Sequence, residues 1–154
     1  MMGRFAVILP AAGRSSRFGD PRGKKIFLEL EGRAVWLRSL DPFLNNDDVG
    51  QILVAIAEED REAFERRHRD VVAFLGLDVV IGGAERADTV AAALARVKDS
   101  CDYVAVHDAA RPCATAALVA SVFAAALECE AAMPGIPVAE TIKRVDGDGR
   151  IQET

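Results

Sequence analysis

Phe5-Ala6-Val7-Ile8-Leu9 is an unbroken apolar row closed by Pro10. A strand with one face in water alternates polar and apolar residues. A strand that does not alternate must be covered on both faces, which calls for helices on either side of a largely parallel sheet. The rest of the chain has the matching rhythm. Gln51–Ala57 and Leu77–Ile81 read as further strands, and Tyr103–Val106 as another buried one. Helical patterns separate them. Ala34–Leu44 is the first. Glu59–Leu75 follows, with Phe64, Val71, Phe74 and Leu75 turned inward and Gly76 as its stop. Asp88–Val97 carries Val90, Ala93, Leu94 and Val97 at helical spacing, and Thr115–Glu128 points Leu118, Val122 and Leu127 at the sheet. The prediction is an α/β fold with a mostly parallel, twisted sheet flanked by helices.

The tail changes character. Ala131–Val138 contains Pro134, Gly135 and Pro137 and is predicted to be a strand ending in irregular backbone. Thr141–Val145 and a return strand from Ile151 flank Asp146-Gly147, which predicts a protruding hairpin closed by a type I′ turn. With 154 residues there is room for one domain and a substantial core, so residues 1–154 are expected to form a single domain.

Charge narrows the partners. The net charge of −5 gives no general affinity for nucleic acid or acidic membranes. The apolar run that ends at Pro10 is too short for a secretion signal, and no stretch reaches transmembrane length. Cys101, Cys113 and Cys129 form no CxxC pair and are odd in number, so they read as reduced cysteines in a cytoplasmic protein. Positive charge is instead concentrated locally. Arg14, Arg17, Arg22, Lys24 and Lys25 stand against Asp20 alone. A small polyanion would suit such a segment.

Three segments carry the chemistry. Pro10-Ala11-Ala12-Gly13-Arg14-Ser15-Ser16-Arg17-Phe18-Gly19 leaves the first strand with small residues, whose amides can approach an anion, followed by cations that can clamp it. It is neither a G-x-G-x-x-G fingerprint nor a P-loop, since only three residues separate Gly19 from Gly23 and Lys25 stands where a magnesium-binding hydroxyl belongs. A solvated basic loop is the plain alternative. Gly82-Gly83-Ala84-Glu85-Arg86-Ala87-Asp88-Thr89-Val90 is either a capped helix start or a turn that a planar base can approach closely. In His107-Asp108-Ala109-Ala110-Arg111-Pro112, Asp108 suits ribose hydroxyls or a metal and Arg111 a phosphate, or else the two simply pair to close a turn. His107 reads as an oriented structural histidine rather than a base.

Taken together and in this order, the A-A-G-x-x-x-R-F-G loop with its lysine, the G-G-x-E-R-x-D-T-V turn and H-D-A-A-R-P resemble the 2-C-methyl-D-erythritol 4-phosphate cytidylyltransferases, from about Ala6 onward. The resemblance implies a Rossmann-like nucleotidyltransferase fold. It also implies transfer of a cytidylyl group from CTP to methylerythritol phosphate, with release of pyrophosphate, in isoprenoid precursor synthesis. Magnesium or another divalent cation is implied as cofactor. A homodimer is implied through the hairpin arm that starts over residues 139–154. Arg17 and Lys25 match the catalytic pair. Ala11, Ala12, Gly13 and Arg14 match the triphosphate loop, and Gly83, Ala84 and Thr89 the cytosine-reading turn. Asp108 and Ala109 match contacts to ribose and metal, and Arg111 and Thr141 contacts to the acceptor phosphate.

The chain departs from the family pattern in places. Ile26 stands where glutamine is usual, Ala84 replaces an aspartate, and Thr89 keeps the hydroxyl of a serine. Family members continue past the position of Thr154, so a fragment or a naturally short relative is expected. The alternatives are a nucleotidylyltransferase for ribitol phosphate, a sugar phosphate or molybdopterin, and a nucleotide-binding module without turnover.

Overall fold

The computed structural model describes residues 4–13 and 27–154. The chain packs as two compact units, Met1–Val119 and Ala120–Thr154. In the first, strand β1 (Phe5–Pro10) is followed by a short ribbon, β2 (Glu29–Leu30) and β3 (Arg33–Ala34). Next come helix α1 (Val35–Leu44), β4 (Val49–Ile56), helix α2 (Arg61–Leu75), β5 (Asp78–Ile81), helix α3 (Arg86–Leu94) and β6 (Tyr103–Val106). The main sheet runs β5-β4-β1-β6 and is parallel throughout. The unbroken apolar row does what its composition demands. It lies between β4 and β6, and Phe5 to Leu9 are at most 2% exposed.

Two other strand expectations hold in part. Gln51 to Ala57 are buried as β4 requires. In contrast β6, predicted to be buried, is an edge strand among the described residues, with Val104 39% and Val106 42% exposed. The β2–β3 ribbon was not predicted. Glu31 and Gly32 both take positive φ, 51° and 72°, which is the two-residue type I′ turn.

The helices start and stop near the expected places, but some inward faces are shifted. Gly76 ends α2 in the left-handed conformation (φ 63°), with its amide on the carbonyls of Ala73 and Val72. Phe74, predicted to face inward, is 89% exposed. At 3.6 residues per turn it lies about 80° off the face carrying Phe64, His68, Val71 and Leu75. Leu94 is likewise exposed, because α3 buries Thr89 and Ala93, and Leu94 sits one position round from that stripe. Helix α3 also begins two residues before the predicted Asp88, since Glu85 and Asp88 form a reciprocal capping box.

Helix α4 (Ala116–Cys129) runs from the first unit into the second. Its buried side chains are Val119 and Phe123. Leu118 and Leu127, predicted to face the sheet, are 42% and 38% exposed. The second unit then has no strand over residues 131–138, contrary to expectation. Pro134 and Pro137 lack the amides a ladder needs. Strands β7 (Arg144–Val145) and β8 (Ile151–Glu153) form the expected hairpin. Its turn is not type I′. The Asp146 carboxylate accepts the amides of Asp148 (3.0 Å) and Arg150 (2.8 Å), and Gly149 takes the positive φ of 80°. No helix among the described residues is long and apolar enough to cross a membrane.

Candidate active site

Parallel strands place all their carboxyl ends on one edge, so the loops leaving β1, β5 and β6 open there together. They enclose a cleft of about 550 Å³. Its floor is Pro10 to Gly13, one wall is Gly83 to Arg86 with Thr89, and the other is Asp108 to Arg111. Each loop continues a ladder before it turns. The Ala11 amide donates to Ala55 O (2.7 Å), Gly82 to Ile56 O (2.8 Å) and His107 to Ile8 O (2.9 Å).

Packing dictates the double glycine. A Cβ on Gly82 would stand 2.8 Å from the Thr89 side chain and 2.9 Å from the Ala12 Cβ, and one on Gly83 would collide with Asp88. Thr89 is 2% exposed, and its hydroxyl donates to Glu85 O (3.0 Å) and Gly83 O (3.3 Å). The capped-helix reading of this segment therefore holds. It is a capped helix start, and it lines the cleft.

The opposite wall is braced from behind. Ser39 of α1 is fully buried, and its Oγ donates to Val35 O (3.1 Å) and to Ala109 O (2.9 Å). His107 packs on Phe43 at 5.2 Å, and its Nε2 lies 3.1 Å from the carbonyl oxygen of Arg111, which selects the Nε2–H tautomer. Burial lowers the His107 pKa, more than the bond to Arg111 raises it. A half-buried ring tied to backbone fits the structural role read from the sequence.

Asp108 faces across the mouth. Its Oδ1 accepts from Arg86 Nη2 and its Oδ2 from Arg111 Nε, each at 2.8 Å. Burial pushes this carboxyl upward, but the bonds from Arg86 and Arg111 prevail and hold it below its ordinary range. Among the described residues, Asp108 and Glu85 are the carboxylates lining the cleft. Glu85 is engaged in the helix cap. Among the described residues, no cluster of three or more His, Cys, Asp or Glu is placed to hold a metal. One carboxylate plus phosphate oxygens is a common arrangement for Mg²⁺. These residues therefore fit a cation that arrives with a polyphosphate, not one caged by protein alone.

Of the residues singled out in the sequence, Ala11, Ala12, Gly13, Gly83, Ala84, Thr89, Asp108, Ala109 and Arg111 meet in this cleft. Arg14, Arg17 and Lys25 lie outside the described residues. Thr141 is exposed in the second unit, ahead of β7. Sequence reasoning assigned no role to Ser39 or Arg86. Ser39 carries no local signal, because its partner is seventy residues away. Arg86 does carry one, since a cation at the first position of a helix opposes the dipole.

An open parallel sheet with a cleft at its carboxyl edge, floored by small residues and rimmed by arginines, belongs to the Rossmann-like nucleotidyltransferases. The pattern of the 2-C-methyl-D-erythritol 4-phosphate cytidylyltransferase family matches residues 5–154, and the chain belongs to that family. A relative of that name from Rhodopirellula baltica is 37% identical over 155 residues, covering 94% of this chain and 63% of the relative. Another, from Frankia casuarinae, is 41% identical over 154 residues, covering 98% and 55%. The chain thus spans between half and two thirds of the length of these relatives. A solved 4-diphosphocytidyl-2C-methyl-D-erythritol synthase superimposes with a TM-score of 0.77 at 25% identity, over 99% of this chain and 68% of the other. A synthase of the same description from Anaerococcus prevotii shares the fold, with a TM-score of 0.74 at 20% identity over 100% and 65%.

Proposed function

We propose that this chain binds CTP in the carboxyl-edge cleft and transfers its cytidylyl group to 2-C-methyl-D-erythritol 4-phosphate, releasing pyrophosphate. The observation that carries this reading is the convergence of three separate loops on one cleft of nucleotide size. In-line attack of a phosphate oxygen on the α-phosphorus needs no covalent help from protein. It needs two polyanions aligned and their mutual repulsion neutralised.

The chain has parts for each task. The amides of Ala12 and Gly13 would serve phosphate oxygens, with Ala11 fixing the start of the loop through its bond to Ala55 O. The Gly83–Ala84 backbone offers the donor and acceptor that distinguish cytosine from uracil. Arg14, Arg17 and Lys25, by their match to the family pattern, add fixed positive charge, and Arg111 and Thr141 take the acceptor phosphate. Asp108 would hold a magnesium ion that accompanies the nucleotide, and that ion, when bound, neutralises phosphate charge. Homodimerisation through the hairpin arm and a cytoplasmic location complete the proposal.

The test is pyrophosphate release from CTP, methylerythritol phosphate and Mg²⁺, with ribitol phosphate as the rival acceptor and GTP, UTP and ATP as rival donors. Turnover confined to CTP and methylerythritol phosphate is the expected result. CTP binding without pyrophosphate release would refute the catalytic reading, and preference for GTP would move the chain toward molybdopterin chemistry.

A further inference from the structure

Arg86 is placed against the electrostatics of its own helix. It is the first residue of α3, where the helix dipole presents its positive end. Its guanidinium reaches Asp108 Oδ1 at 2.8 Å, while Arg111 holds Oδ2 at the same distance. The loops carrying Arg86 and Asp108 leave β5 and β6, the two outer strands of the main sheet, so the ion pair spans the cleft above the β1 loop. Its components are accessible, with the side chains of Arg86, Arg111 and Asp108 60%, 76% and 34% exposed. Exposed pairs of this kind open readily. A carboxylate gripped by two guanidinium groups occupies the position that a phosphate, with more charge and more acceptor oxygens, can take instead.

We propose that Arg86 is a polyphosphate-binding residue that exchanges between Asp108 and a phosphate of the incoming nucleotide. The exchange frees Asp108 Oδ1 as the phosphate arrives, so the carboxylate becomes available to an accompanying cation only once the nucleotide has taken Arg86. The inference rests on the nucleotide-binding reading above and adds a residue and a sequence of events to it.

Calorimetric titration of the full chain with CTP, and separately with inorganic pyrophosphate, tests it on wild type, Arg86→Gln and Arg86→Lys. Loss of a charge-assisted bond to phosphate should weaken both ligands by about 10- to 100-fold in Arg86→Gln. The melting temperature should hold within a few degrees, and Arg86→Lys should recover part of the affinity. Asp108→Asn removes the competitor and should tighten pyrophosphate when no divalent cation is present. Unchanged affinity in Arg86→Gln overturns the assignment, and so does a loss that tracks melting temperature and that lysine fails to rescue. Wild type that binds neither CTP nor pyrophosphate overturns the nucleotide-binding reading as well.

Discussion

Replacing Ser39 with alanine should loosen the wall of the cleft that carries Asp108. The hydroxyl is fully buried and bridges α1 to Ala109 O at 2.9 Å, and Ala109 itself is 7% exposed. Its other acceptor, Val35 O, belongs to the helix ladder and loses little. The carbonyl of Ala109 is the group that loses its hydroxyl donor. A lost hydrogen bond between elements costs about 0.5–1.5 kcal/mol, rising to about 1–3 when a buried partner is left unsatisfied. Alanine returns roughly 0.5 kcal/mol through better helix propensity. The net loss is then about 1–2 kcal/mol, or roughly 2–8 °C in melting temperature for a chain of this size. Trp36, the single tryptophan, is three residues away in α1 and fully buried, so its fluorescence during urea unfolding reports the transition directly. CTP affinity should fall in the same variant. Stability equal to wild type would show that Ser39 does not hold the Asp108 loop.

Gly82→Ala should cost about 1–3 kcal/mol through overpacking, since the new methyl meets Thr89 and Ala12 together, and urea midpoints will register it. His68 and His107 both have pKa values lowered chiefly by burial. The unfolded chain therefore takes up protons first as pH falls below about 6.5, and stability should decline from that point downward. A His68→Gln, His107→Gln double variant, though less stable at the outset, should lose that slope, and an unaltered slope assigns it elsewhere. Lys25→Ala should lower turnover by about 10²–10³ with little change in melting temperature. An undiminished rate removes Lys25 from the catalytic pair.

An unbroken apolar row was readable from sequence because burial on both faces leaves no other choice. Phe5–Leu9 is the example, and its neighbours in the sheet follow from alternation with helices. The first short ribbon was not readable. The β2–β3 ribbon has two residues on each side, too few for any period, and its type I′ turn uses Glu31-Gly32. The same turn was expected at Asp146-Gly147, where the aspartate side chain instead gathers two amides and passes the left-handed position to Gly149. At Asp146 side-chain chemistry beyond the dipeptide decided the outcome. Leu118, Phe74 and Leu94 show a related limit. An apolar residue one position round from the buried stripe looks the same in sequence as one within it.

In the cleft, a residue's local fitness proves a better guide to its role than its reputation. Gly82 and Gly83, expected to admit a planar base, are already required by Thr89, Ala12 and Asp88, so their presence alone says little about a ligand. Arg86 is the reverse case. Nothing in α3 gains from a cation at its first position, and among the described residues its ion-pair partner is Asp108 across the cleft. Where a side chain opposes its own secondary structure and is balanced by a partner from a distant loop, folding does not account for its choice. The same test separates Asp108 from Asp88. Asp88 caps the helix it belongs to, whereas Asp108 satisfies two arginines that a phosphate could claim.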